Sequence, residues 1–273
     1  MINYNKLFEL ENKTVLINGG FGLLGSEITR AFLSMSAKVI LIDNNINKKK
    51  SFLKTIENDY IKNLEIIITN TANQSNLEKL MKKFKNNNQI IDTFVNCSYP
   101  KDNLWANNNF KNIKHSSLLK NVNLNSTSYI WFSKIIADYM CDLKIDGSII
   151  LLSSIYGILA QNTYIYKGTK MSENLTYNFI KGGLLNFSRS MAANYGRKNI
   201  RVNCISPGAI AGHVSGKSKK QSSIFVKNYI NQNPIKRLGK TEDVASACLF
   251  LSSNASAYIN GSNLVIDGGW TII

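Results

Sequence analysis

Tyr177 and Lys181 stand four residues apart in this 273-residue chain, and Tyr166 and Lys170 repeat the spacing eleven residues earlier. If a segment is helical, side chains at i and i+4 project from one face. A free tyrosine titrates near ~10 and keeps its proton at neutral pH. A lysine fixed beside it favours the phenolate and is expected to lower that value. Such a phenol can give or take a proton while a hydride moves on or off a carbonyl carbon. Spacing alone does not choose between the two pairs.

A second group of residues points to a dinucleotide. Val15, Leu16 and Ile17 run into Asn18, Gly19, Gly20, Phe21, Gly22, Leu23, Leu24 and Gly25, and a helical pattern follows. Gly20, Gly22 and Gly25 satisfy GxGxxG after a strand and at the start of a helix, where the backbone can approach a pyrophosphate at the helix N-terminus. A second apolar strand then ends in Asp43, the spacing of an acid that accepts hydrogen bonds from the adenosine ribose. Asp43 would repel a 2′-phosphate and no arginine follows it, which favours NAD. Lys48, Lys49 and Lys50 keep NADP possible.

These residues need a scaffold. Short apolar runs rich in β-branched residues fall at 14–17, 38–42, 64–69, 90–96, 148–152, 200–205 and 263–266, separated by helical periodicity at 25–34, 75–84, 126–143, 177–195 and 242–251. This alternation predicts an α/β, Rossmann-like, doubly wound parallel sheet of about seven strands with helices on both faces. Without an internal repeat or a flexible linker, the chain reads as one domain, 1–273. Two stretches look irregular, 158–174 and 212–234. The first reads as an insertion and the second as a lid.

Composition removes several classes. Hydrophobic residues make up 44% of the chain, a globular content. No apolar run reaches the ~18 residues that span a bilayer, and no secretory signal is visible in the polar segment 1–11. A cytoplasmic location is expected, with Cys97, Cys141, Cys204 and Cys248 as reduced thiols. The only histidines are His115 and His213 and there is no CxxC, so no metal is expected. The net charge of +16 is dense only at Lys48–Lys50 and at 217–220. No basic stripe interleaves with aromatics, so neither nucleic acid nor membrane is expected as a partner.

Read in order, the motifs resemble the short-chain dehydrogenase/reductase family. They are the turn at 18–25, Asn96-Cys97-Ser98-Tyr99 where the family has Asn-Asn-Ala-Gly, and Val122-Asn123-Leu124. Ser153-Ser154, Tyr177 with Lys181, Arg201-Val202-Asn203, Ser206-Pro207-Gly208 and Val265-Ile266-Asp267-Gly268-Gly269 follow. The resemblance implies NAD(P)-dependent carbonyl and alcohol chemistry. It also separates the two tyrosine–lysine pairs. Ser153 to Tyr166 has the family's usual serine-to-tyrosine spacing, but Lys170 leads into polar residues. Lys181 leads into an amphipathic helix that reaches Arg201 at the family's distance.

The roles it implies are these. Tyr177 is the general acid/base, Lys181 tunes it and holds the nicotinamide ribose, and Ser154 binds the substrate oxygen, with Ser153 as the alternative. Asn123 anchors a water that links Lys181 to solvent. The cofactor is expected at Gly19, Gly20, Phe21, Gly22, Leu23, Leu24, Asp43, Asn70, Asn96, Tyr177, Lys181, Pro207, Gly208 and Ile210. The chain departs from the family at Asn18, Leu23, Cys97-Ser98-Tyr99 and Gly212. A homodimer or homotetramer is implied.

The glycine turn, the insertion and the ending Asp267-Gly268-Gly269-Trp270-Thr271 resemble oxidoreductases of flagellin modification and surface-sugar biosynthesis. A small sugar-type substrate is therefore expected. The alternatives are a 3-oxoacyl-carrier-protein reductase and a catalytically silent partner protein of the same fold.

Overall fold

A computed structural model of the chain describes residues 2–101, 103–212 and 221–273. Its strands are β1 (Thr14–Asn18), β2 (Lys38–Asp43), β3 (Leu64–Ile68), β4 (Thr93–Asn96), β5 (Ser148–Leu152), β6 (Arg201–Pro207) and β7 (Asn263–Ile266). Between and around them lie α1 (Tyr4–Leu7), α2 (Leu23–Ser34), α3 (Lys49–Leu53), α4 (Asn58–Ile61), α5 (Gln74–Asn86), α6 (His115–Val122), α7 (Ser128–Asp142), α8 (Leu175–Tyr195), α9 (Ser223–Gln232) and α10 (Thr241–Ser252). The strands form one parallel seven-stranded sheet in the order β3-β2-β1-β4-β5-β6-β7.

Alternation along the strands builds two cores. Leu16, Ile40, Ile42, Ile149 and Leu151 face one side and pack with α5, α7 and α8. Val15, Ile17, Val39, Leu41, Ile150 and Leu152 face the other and pack with α2 and α10. Both faces are covered, which is why the strands read as continuous apolar runs. Strand order reverses between β1 and β4, and open α/β sheets bind ligands at the carboxyl ends of strands at such a point.

Three expectations change in detail. The fourth strand starts at Thr93 rather than at 90. Of the stretch 212–234, residues 213–220, with His213 and the 217–220 lysines, lie outside the described residues, while 223–232 is the helix α9, capped by Ser222 on the Phe225 amide. The 158–174 segment is packed against that helix. Ile165 is fully buried, Asn228 donates to the carbonyls of Ile165 and Lys167, and Asn162 donates to Gln232 Oε1 at 2.6 Å. A third apolar cluster, with Ile155, Ile165, Phe225, Tyr229 and Trp270, joins the two segments to the C-terminal turn.

Candidate active site

Tyr177 is the third residue of α8, and its place is set by Asn174. That side chain accepts the Tyr177 amide at 3.0 Å, and its own Nδ2 donates to the Trp105 carbonyl at 2.8 Å. The Asn174 amide donates to Gln161 in the insertion. One cap therefore joins α8, the insertion and the loop after β4. The first turn of a helix carries partial positive charge, which favours a phenolate there.

Lys181, one turn on, is 4% exposed. A buried ammonium needs partners. Its Nζ donates to the Leu152 carbonyl at 2.6 Å and lies over the rings of Tyr99, Tyr129 and Tyr177 at 5.1, 5.5 and 5.7 Å. The Tyr129 hydroxyl donates to the carbonyls of Asn96 and Leu152, tying the ends of β4 and β5 together.

The two serines divide their work. Ser153 donates to the Lys181 carbonyl at 2.8 Å, a main-chain anchor. Ser154 lies close enough to Tyr177 for its hydroxyl to favour the phenolate, and it accepts the Tyr156 amide at 3.2 Å. Ser154, Tyr177 and Lys181 thus converge beyond the end of β5.

Burial pushes the Tyr177 phenol up, and the Ser154 hydroxyl pulls it back. Burial also lowers Lys181 to about 8, with Cys204 and Cys97 opposing and Lys101 adding to the fall. The expected lowering of Tyr177 by Lys181 is not among these effects. Both groups are desolvated, and the ammonium is aimed at the Leu152 carbonyl.

The expectation for Asn123 is corrected. A π-helical turn, Asn123–Thr127, joins α6 to α7 and shifts the face of the helix. Asn123 is exposed and accepts the Thr127 hydroxyl at 2.8 Å. Asn125 is the buried residue. Its Nδ2 donates to the carbonyls of Pro100 and Asn121 at 3.2 and 3.1 Å, and its Oδ1 is buried without a partner. Asn121, Asn125 and Tyr129 fall on one i, i+4 stripe, a signal that was present in the sequence.

The competing pair separates. Lys170 is exposed, and Tyr166 stacks on Phe225 at 6.1 Å. Tyr166 lies beside Tyr156, whose ring stands edge-on to Tyr177 at 6.5 Å. Tyr166 is therefore one side chain removed from the Tyr177 phenol.

The turn after β1 fits a dinucleotide. Gly19, at φ 83°, lies so close to the next strand that a Cβ there would stand 2.7 Å from Ser98 Cα. A Cβ on Gly25 would collide with the Gly19 carbonyl. Gly22 is the N-cap of α2 and offers no side chain, so the first helical amides keep their donors for a ligand. Asp43 accepts the amides of Phe21 and Asn45, both at 2.9 Å, and each oxygen retains a lone pair for a sugar hydroxyl. Asn96 Oδ1 accepts from Asn18, while Asn96 Nδ2 is buried and unpartnered.

The other expected cofactor residues ring the same crevice. Phe21 turns its ring onto Phe52 at 5.3 Å, and its carbonyl accepts Lys48 Nζ at 3.3 Å. Gly20 lies against Leu41, and Leu24 packs into the core behind the turn. Leu23 is exposed and reaches Gly212. Asn70 is exposed beyond β3 and accepts the Ala72 amide. Pro207 ends β6; Gly208 lies beneath the Tyr229 hydroxyl; Ile210 bridges to Gly239. Among the described residues no cluster of metal ligands occurs, all four cysteines are free, and no helix is long and apolar enough to cross a membrane.

A family model described as enoyl-(acyl carrier protein) reductase matches residues 23–271. The chain is 29% identical over 262 residues to post-translational flagellin modification protein A of Campylobacter coli, spanning 96% of this chain and 99% of that protein. It is 28% identical over 285 residues to the ribulose-forming D-arabinitol 2-dehydrogenase of Scheffersomyces stipitis, spanning 96% and 95%. The solved structure of a short chain dehydrogenase from Leptospira borgpetersenii with bound NAD+ matches with a TM-score of 0.84 and 30% identity, over 99% of this chain and 97% of that one.

Proposed function

The chain belongs to the short-chain dehydrogenase/reductase family, and on that premise we propose that it oxidises or reduces a sugar or sugar derivative at a CH–OH group with NAD(P). The observation that carries this reading is the meeting of Ser154, Tyr177 and Lys181 beyond β5. The sugar-alcohol dehydrogenase and flagellin-modification relatives support the substrate class. We read the chain as one cytoplasmic domain that works as a homo-oligomer.

NAD(P), if held at the crevice between β1 and β4, would supply the hydride acceptor or donor. Gly19 to Leu24 would hold its pyrophosphate, Asp43 its adenosine ribose and Lys181 its second ribose. Asn70 and Asn96 lie toward the adenosine half, and Pro207, Gly208 and Ile210 toward the nicotinamide.

In the oxidative direction, Tyr177 takes the substrate hydroxyl proton. In the reductive direction it returns one to the forming alkoxide. Ser154 donates a hydrogen bond to the same oxygen and stabilises its growing charge. Lys181 replaces the proton, and we assign Asn125 rather than Asn123 to the path that reconnects it to solvent.

The description of the matching family model and the net charge of +16 favour one second reading, an oxoacyl reductase served by an acidic carrier protein. Turnover of D-arabinitol and hexitols against acyl thioesters, with NAD and NADP compared, separates the two. Sugar-alcohol oxidation with NAD supports the first reading, and NADPH-linked reduction of thioesters alone overturns it.

A further inference from the structure

Tyr99 stands where the family has glycine, so this chain adds a ring beside Tyr177 and Lys181. That ring meets Tyr177 edge-on at 5.1 Å, and its centre lies 5.1 Å from Lys181 Nζ. The other two rings near the ammonium, Tyr129 and Tyr177, belong to α7 and α8. Tyr99 alone of the three comes from the loop after β4. Trp105 steadies it: Nε1 donates to the Tyr99 hydroxyl at 3.4 Å, and the two rings meet edge-on at 6.5 Å. The Trp105 carbonyl in turn accepts from Asn174, the residue that also places Tyr177.

Lys181 is buried, and a buried ammonium must be compensated. The Leu152 carbonyl accepts one of its three N–H bonds. Besides the rings, the groups that act on its charge are Cys204, Cys97 and Lys101, and Lys101 opposes it. Burial pushes the Cys204 and Cys97 thiols up, to about 11 and about 12, so both are neutral at physiological pH. Tyr99, Tyr129 and Tyr177 are likewise pushed up by burial and keep their protons. What these phenols offer the ammonium is the negative face of a neutral ring.

We propose that Tyr99 is a positioning residue for the reaction: its ring, braced by Trp105, holds the Lys181 ammonium beside Tyr177. The proposal rests on the oxidoreductase reading of Ser154, Tyr177 and Lys181, and it names what keeps the cation of that site in place.

Melting temperature of the full-length protein, followed from about pH 6.5 to about pH 9, tests the contact without a substrate. Tyr99→Leu keeps apolar bulk and removes the ring, Tyr99→Met is a second ringless variant, and Tyr99→Phe keeps the ring. Loss of the ring lowers the proton affinity of folded Lys181 further below its unfolded value. The ringless variants should therefore melt further below wild type at pH 6.5 than at pH 9, by roughly 2–4 °C, because Lys181 is neutral in every folded form at the higher pH. Tyr99→Phe should show no such trend, and in a Lys181→Met background the trend should vanish. D-Ribulose reduction with NADH adds a kinetic readout. Its alkaline midpoint should fall by about one pH unit in Tyr99→Leu and stay in place in Tyr99→Phe.

A melting difference that is flat with pH, a trend that survives in Lys181→Met, or equal trends in Tyr99→Leu and Tyr99→Phe overturns the proposal. The expected trend without turnover of any sugar supports it and counts against the oxidoreductase reading. Sugar turnover with a flat melting difference does the reverse.

Discussion

Lys181 reaches from α8 to the last residue of β5, where its Nζ donates to the Leu152 carbonyl at 2.6 Å. The Tyr129 hydroxyl donates to the same carbonyl at 3.3 Å. The charge to which we assign a catalytic role is thus held on main chain inside the protein, and on that reading stability is given up for position.

The sign of that trade can be measured. Burial lowers Lys181 to about 8, so above that pH the folded chain binds fewer protons than the unfolded one. Holding the ammonium inside opposes folding by about 3 kcal/mol at most at neutral pH, and the opposition fades as pH rises toward ~10. The lost Leu152 hydrogen bond and ring contacts offset part of any gain on removal. The difference in melting temperature between Lys181→Met and wild type should therefore fall steadily from pH 7 to pH 10. A difference that is flat or rises with pH contradicts the assignment. Carbonyl reduction by the wild type should decline as pH rises through about 8, as Lys181 loses its proton.

The π-helical turn makes a paired prediction. Asn123→Ala removes an exposed side chain bound only to Thr127 and should leave turnover within about twofold of wild type. Asn125→Ala removes the amide that holds the Pro100 carbonyl and should lower kcat by roughly tenfold or more. Solvent isotope effects on kcat should change in Asn125→Ala alone. Equal losses in the two variants would return the relay to Asn123.

The proposed ribose contact makes cofactor choice turn on Asp43 and Lys48. Asp43→Asn removes the charge that repels a 2′-phosphate, while Lys48 Nζ stays on the Phe21 carbonyl. The preference for NAD over NADP should shrink by roughly tenfold or more, as expected when a like charge is removed from a partner's phosphate. Adding Lys48→Ala should restore part of it. Fluorescence titration with both cofactors checks this, and an unchanged ratio in Asp43→Asn counts against the ribose assignment.

Much of this was legible in the sequence, because the cores are built by alternation and the turn by glycine. Strands β5 and β7 coincide with their apolar runs, and GxGxxG runs from the turn after β1 into the first turn of α2 as expected. The Tyr177 pair separates from its competitor because only Lys181 is followed by an amphipathic helix. What was not legible depends on tertiary contact. Helix α9 is Ser- and Lys-flanked with a mixed face, and it is held by the insertion rather than by its own periodicity. Asn123 was named and Asn125 was missed because a π turn changes which side chain faces inward, and only the i, i+4 stripe of Asn121, Asn125 and Tyr129 hints at it. The Tyr99 ring becomes a site feature only where the loop after β4 meets α8, dozens of residues later in the chain.

The central claim is that Tyr177, and not Tyr166, moves the proton. Initial rates of NAD-linked oxidation and NAD affinity should be measured together for Tyr177→Phe and Tyr166→Phe. Removal of a general acid/base should lower the rate of Tyr177→Phe by roughly a hundredfold or more while NAD still binds. Tyr166→Phe should keep kcat and change KM. Persistent turnover in Tyr177→Phe, or loss of kcat in Tyr166→Phe with Tyr177 intact, would contradict the account.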